Sequence, residues 1–269
     1  MRKATLVALL FFIFLNACKE DDFTSTFPEL NQHLIAITTT TEDWEYRTDF
    51  VYDSLNRLSE IQNRSQGEQI FTESYVYNEA GKISQKTNGD YTTSYVYNSE
   101  GQVIEENLQY LSPENGNEWS TKTEYYYKNG RISKGKVFSE NGEVSSYISY
   151  KYDSRGNTIE KIVRPSNSDS DFILSELKFR YDAKINPLGA SGISTINAFM
   201  YSRDIDIVQV NNPVYLSYMN SIASSLPPEF EISYEYSSEN LPEKAVLSYV
   251  RYPDQQGINV VFEYESIEN

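Results

Sequence analysis

Phe50-Val-Tyr-Asp-Ser-Leu-Asn-Arg-Leu58 reads as a strand, a tight turn and the start of a return strand, and the chain repeats it. Copies stand at Tyr75-Val-Tyr-Asn-Glu-Ala-Gly-Lys-Ile83, Tyr95-Val-Tyr-Asn-Ser-Glu-Gly-Gln-Val103, Tyr125-Tyr-Tyr-Lys-Asn-Gly-Arg-Ile132 and Tyr150-Lys-Tyr-Asp-Ser-Arg-Gly-Asn-Thr-Ile159. Looser copies follow at Phe179-Arg-Tyr-Asp-Ala-Lys-Ile-Asn-Pro187 and Tyr234-Glu-Tyr-Ser-Ser-Glu-Asn-Leu-Pro242, with a strand-only remnant at Phe262-Glu-Tyr264. Side chains alternate across a strand, so the first and third positions, aromatic in every copy, share a face. Asp and Asn then accept backbone N–H groups two residues on, and Gly or Asn tolerates the positive φ that closes the turn. Burying an aromatic or large aliphatic side chain is worth roughly 1.5–3 kcal/mol. A one-residue slip would move both rings and the following aliphatic side chain into water, so each unit fixes its own register.

The units start roughly every 20 to 30 residues, room for two strands and a loop, which makes a meander of sequential antiparallel hairpins. The first strand is expected at Leu34–Thr40 and the second from Trp44 to Asp53. Strand and turn alternate from there to about Val163, with no window at helical spacing. Strands are expected again near 229–237, 243–251 and 257–266. The pattern thins between, where short helices are expected at Ser194–Tyr201 or Tyr215–Ser224. The expected fold is all-β: an antiparallel meander of about 14–15 strands, curled into a barrel-like or strongly twisted sheet.

The N-terminus carries an address. Met1-Arg2-Lys3 is positive, and Ala4 to Leu15 is an apolar run shorter than the ~20 residues a transmembrane helix needs. Leu15-Asn16-Ala17-Cys18 then resembles a bacterial lipobox, with cleavage before Cys18 and lipid on it, tying the protein to a membrane. Lys19, Glu20, Asp21 and Asp22 resemble the Bacteroidota signal that exports lipoproteins to the outer face of the outer membrane. The expected organisation is 1–17 signal peptide, 18–33 acidic tether, and 34–269 one β-rich domain. The periplasmic face of the outer membrane is the alternative location.

The repeats resemble the YD (RHS-type) repeat, best over about residues 50–162. YD-repeat toxins build a long shell around a C-terminal toxin, and this chain has too few units for that. It is also similar to a family of Bacteroidota surface lipoproteins that combine a lipobox, YD-like hairpins, Tyr181-Asp-Ala-Lys-Ile-Asn-Pro187 and a late Asn240-Leu-Pro242. That resemblance implies a porin-like antiparallel sheet and brings no catalytic residues.

The chemistry that remains is sparse. Net charge is −16, so nucleic acid and anionic membrane surfaces are poor partners. The one Cys excludes an internal disulfide framework, and the one His, His33, builds neither a usual zinc site nor a triad; it reads as a surface residue of the tether. Asn167-Ser-Asp-Ser-Asp171 begins like a calcium loop but lacks the Gly and the bidentate Glu, and Asp204 with Asp206 reads as a solvated face. No catalytic, cofactor or metal residue is assigned. Trp44 and Trp119 are candidate sugar-stacking residues, with packing as the plainer reading. Asp53-Ser54-Leu55 resembles a Bacteroidota O-glycosylation site, with Ser54 the acceptor. The expectation is a surface-exposed, lipid-anchored, non-enzymatic scaffold that binds a glycan or a protein. A glycan hydrolase using an Asp/Glu pair and a structural component of an envelope complex are the alternatives.

Overall fold

A computed structural model describes residues 30–112, 114–167, 172–189, 207, 209–221 and 228–267. Its strands are β1 (Gln32–Thr40), β2 (Glu45–Tyr52), β3 (Leu58–Ser65), β4 (Glu68–Tyr77), β5 (Ile83–Asn88), β6 (Tyr91–Tyr97), β7 (Val103–Leu111) and β8 (Glu118–Lys128). They continue as β9 (Arg131–Phe138), β10 (Val144–Tyr152), β11 (Thr158–Pro165), β12 (Ser175–Ile185), β13 (Asn211–Asn220), β14 (Glu229–Tyr236), β15 (Pro242–Tyr249) and β16 (Ile258–Ser266). Each strand pairs antiparallel with its chain neighbours, and β16 returns to β1 to close a 16-stranded barrel. Closure leaves no open edge to aggregate.

The segment expected to be helical at Tyr215–Ser224 is instead largely strand β13, which takes the count past 14–15. Its ladder to β12, Phe179 opposite Leu216, overrides a local pattern without strict alternation. Ser194–Tyr201, Asp204, Asp206 and most of the calcium-like stretch lie outside the described residues.

The repeat turns behave as their chemistry demands. Asp53 Oδ1 accepts the N–H groups of Leu55 and Arg57, each at 2.9 Å, and Asn78, Asn98 and Asp153 do the same for their own turns. Asn56, Gly81, Gly101 and Gly156 then take positive φ to reverse the chain. One residue of slack follows as a bulge, seen at Val51/Tyr52, Val76/Tyr77 and Val96/Tyr97.

Both rings of each unit point inward, while the middle residues Val51, Val76, Val96, Tyr126, Lys151, Arg180 and Glu235 are exposed outside. The first position is Phe or Tyr, but the third is always Tyr, and the hydroxyl explains why. Tyr52, Tyr77, Tyr97, Tyr127, Tyr152, Tyr181 and Tyr264 each donate to a backbone carbonyl of the preceding strand. The acceptors are Leu34, Leu58, Ile83, Val103, Ile132, Thr158 and Pro242, at 2.6–2.9 Å. The ladder from β3 to β4 stops at Glu60 opposite Ser74, short of this rim. The Tyr hydroxyl therefore bridges neighbouring hairpins where the strands' own hydrogen bonds have run out.

Phe50, Ile61, Phe179, Leu216, Phe230, Ile232, Leu247, Val260 and Phe262 form the buried core, joined by Leu188 and Ile207 from the β12–β13 connection. Beside the described ends of that connection lies a set of buried amides. Asn157 Nδ2 donates to Asn211 Oδ1 and Asn157 Oδ1 accepts from Asn211 N, both at 2.9 Å. Asn212 donates to Asp182 and to the Ile185 carbonyl, and the Tyr236 hydroxyl donates to Asp182. Lys184 meets Asn240, so the two motifs of the surface-lipoprotein resemblance touch.

Candidate functional site

An even-stranded meander puts alternate turns at opposite ends. The repeat turns, and the strand ends at Gln32 and Ser266, lie at one rim; the β1–β2, β3–β4, β5–β6 and β7–β8 connections lie at the other. We call these the tether rim and the far rim.

The outer wall carries ion pairs over much of its circumference. Arg47 pairs with Asp49 and Glu263, and Arg64 reaches the other oxygen of Asp49 at 3.0 Å. Further ion pairs are Lys122–Glu124 at 2.8 Å, Lys151–Glu160 at 2.7 Å, Lys178–Glu176 at 2.7 Å and Lys244–Glu235 at 3.2 Å. A bilayer-spanning barrel needs an outward apolar band about 25 Å tall. Here the exposed Val51, Val76 and Val96 alternate around the wall with Glu60, Gln85 and Glu105, their cross-strand partners.

At the far rim three rings gather on the inner face. Tyr91, Tyr110 and Trp119 stand directly opposite one another across β6, β7 and β8. Tyr110 lies 4.8 Å from Tyr91 and 5.7 Å from Trp119, centroid to centroid, with Tyr91 and Trp119 edge-on at 6.2 Å. Trp119 remains 38% exposed, so part of the indole is offered to solvent. Trp44 is as open, 40%, but sits in the β1–β2 turn, far around the circumference from β8. The two tryptophans flagged by the sequence thus share a rim and not a site. Tyr91 and Tyr110 went unmarked because only the register places them beside Trp119. Exposed acids ring this opening, among them Glu42, Asp43, Glu68, Asp90, Glu118 and Glu140.

Ser54 is exposed at the tip of the first repeat turn, on the tether rim. Cys18, Lys19, Glu20, Asp21 and Asp22 lie outside the described residues. His33 departs from expectation: it belongs to β1, half-buried, stacked on the Tyr52 ring at 4.0 Å. Strand β1 begins at Gln32, inside the stretch read as tether, and so captures it.

The inner face changes character around the barrel. In β4 to β11 it carries Glu73, Lys86, Glu106 and Lys161 among the rings. Lys86 Nζ lies 3.8 Å from Glu73, with both side chains nearly out of solvent. The Tyr75 hydroxyl donates to Glu73, and burial, reinforced by that carboxylate, holds its pKa well above the ordinary range. Among the described residues no group of His, Cys, Asp and Glu is placed to hold a metal ion.

No family model matches the chain, and no curated protein does. Solved structures do. A porin-like protein from Bacteroides uniformis aligns over 86% of this chain and 96% of its own, with TM-score 0.55 and 13% identity. A porin-like protein from Bacteroides vulgatus aligns over 88% and 100%, at TM-score 0.38 and 13% identity. The TcdB2-TccC3 structure aligns over 77% of this chain and 13% of its own, at TM-score 0.32 and 12% identity. At such identity the first of these shares the fold alone. The fold is a porin-like closed barrel.

Proposed function

We propose that this chain is a lipid-anchored, non-enzymatic barrel of YD-type hairpins, displayed outside the cell, that binds a glycan or protein partner at its far rim. The observation that carries the reading is polarity of two kinds. The outer wall bears ion pairs over much of its girth, and the described chain enters and leaves at one rim while an aromatic trio sits at the other. In this reading residues 1–17 are removed, Cys18 carries the lipid, and Lys19–Asp22 direct export to the outer face of the outer membrane. A tether from Cys18 reaches β1 at the rim opposite Trp119, so the rings face away from the membrane. Indole and phenol faces suit the C–H faces of sugars or an apolar side chain of a protein. The Bacteroides neighbours' porin-like description is consistent with an envelope protein, although the charged wall argues against insertion in the bilayer.

Two measurements test it. Full-length protein in nonionic detergent, applied to a glycan array and to capture from intact cells, should retain a partner that Trp119→Ala weakens about tenfold, the order expected for one lost stacking contact. Cys18→Ala should move the protein from the membrane to the soluble fraction. A variant still in the membrane pellet rules out the anchor, and a partner indifferent to Trp119 rules out the rim.

A further inference from the structure

The fourth repeat unit breaks the pattern at the tether rim, and a cleft opens there. In the first unit Asp53 both closes the turn and pairs with Arg57 at 2.7 Å, and the Arg57 guanidinium lies 4.3 Å from the centre of the Tyr77 ring. In the fourth unit Lys128 stands where Asp53 stands. The turn shrinks to Asn129 and Gly130, both at positive φ, 53° and 71°. Arg131 keeps its place over the next unit's ring, 5.4 Å from Tyr152, and donates to the Asp153 carbonyl at 3.2 Å. Beside the shorter turn is a cleft of about 430 Å³, lined by Lys128, Asn129, Arg131, Ile132, Ser133, Tyr150 and Tyr152. That lining holds two cations and no acid, in a chain whose net charge is −16.

Shape and charge select a ligand. The volume suits one small ring system. Tyr150, Tyr152 and Ile132 supply aromatic and apolar contact, Asn129 supplies a hydroxyl-matching amide, and the two cations supply a positive mouth; the Ser133 hydroxyl is already given to the Tyr126 carbonyl at 3.0 Å. A lysine meets an oxyanion as a point charge and an arginine as a planar fork, so the pair suits either carboxylate or phosphate. We propose that this cleft binds a single pyranose-sized ring bearing one oxyanion. A uronic-acid residue and a sugar phosphate are the two sources of that chemistry. The site is independent of whatever the far rim takes, since it lies at the opposite end of the barrel.

Calorimetric titration of the full-length protein in nonionic detergent tests it, using sodium glucuronate, glucose 1-phosphate and neutral methyl glucoside. Saturable binding of at least one acid is expected, with methyl glucoside about tenfold weaker or worse. Whichever acid binds tighter identifies the source. Lys128 is exposed at a hairpin end, so Lys128→Ala should fold, checked by circular dichroism, while losing about tenfold in affinity, and Lys128→Arg should keep it. Absence of saturable binding by either acid overturns the proposal. So does equal binding of methyl glucoside, or a Lys128→Ala protein that binds as tightly as the parent.

Discussion

Two halves of one barrel solve the same packing problem differently. From β12 round through β16 to β3, the residue opposite the first ring of each unit is aliphatic: Leu216 faces Phe179, Ala245 faces Tyr234, Ile37 faces Phe262 and Ile61 faces Phe50. From β4 to β11 the same position holds Lys86, Glu106, Gly135 and Lys161. The first half is a conventional core and also receives Leu188 and Ile207 from between β12 and β13. The second half keeps charges inside, tied to each other and to ring hydroxyls: Glu73 to Lys86 and Tyr75, and Glu106 to Tyr125 at 3.1 Å. Each repeat therefore fixes where its rings go, and the residue facing the ring decides what that part of the interior is made of.

The largest effect that tests this contrast is at the buried pair. Lys86→Met leaves Glu73 as an uncompensated interior charge and should cost about 3–5 kcal/mol in urea unfolding. Adding Glu73→Leu should bring stability back near the parent value, because a buried ion pair and a well-packed apolar pair are close in energy. If the double variant stays as unstable as the single, the charges hold the polar half together and the contrast is wrong.

Alkaline pH gives the next effect. Burial raises the pKa of Tyr75 in the polar half and of Tyr181 and Tyr234 in the apolar half. Below pH ~10, the ordinary tyrosine value, both folded and unfolded chains keep these protons and stability is level. Above it the unfolded chain loses them while the barrel holds them. Stability then falls by up to about 1.4 kcal/mol per pH unit for each such tyrosine, until the folded pKa is passed. Thermal unfolding followed from pH 8 to about 11 should show the decline. Tyr75→Phe and Tyr181→Phe should each flatten it; a slope that only Tyr181→Phe and Tyr234→Phe relieve means that water reaches the polar half.

The smallest effect is the most uniform. Tyr97→Phe in the polar half and Tyr264→Phe in the apolar half each remove one hydroxyl-to-carbonyl bond between hairpins. Each should cost about 1 kcal/mol. Equal losses in the two halves are expected, since the bond is a property of the repeat and not of the lining.

Much of this barrel is visible in the primary chain. The aromatic pair, the Asp or Asn cap and the positive-φ Asn or Gly carry hairpin position, turn and facing by themselves, because every interaction involved lies within a few residues. Lys128-Asn-Gly-Arg131 was legible as a turn, yet the cleft beside it depends on Tyr150 and Tyr152 from the next hairpin. Strand β13 is hidden from the sequence for a related reason. Nothing local in Asn-Pro-Val-Tyr-Leu-Ser-Tyr alternates cleanly, and its partner β12 lies across a long connection. The trio of Tyr91, Tyr110 and Trp119 likewise comes from three strands whose register only pairing supplies.

Local chemistry along the chain is enough to make this polypeptide run as successive antiparallel hairpins with rings to one side, since short-range sterics and hydrogen bonds leave each unit no other good register. Tertiary structure alone decided that the sheet closes at sixteen strands, β16 meeting β1. It also decided that the interior divides into an apolar half and a charged half, and which side chains share a rim. Those outcomes depend on distances between residues far apart in the chain, and they are set only when all the strands satisfy their edges at once.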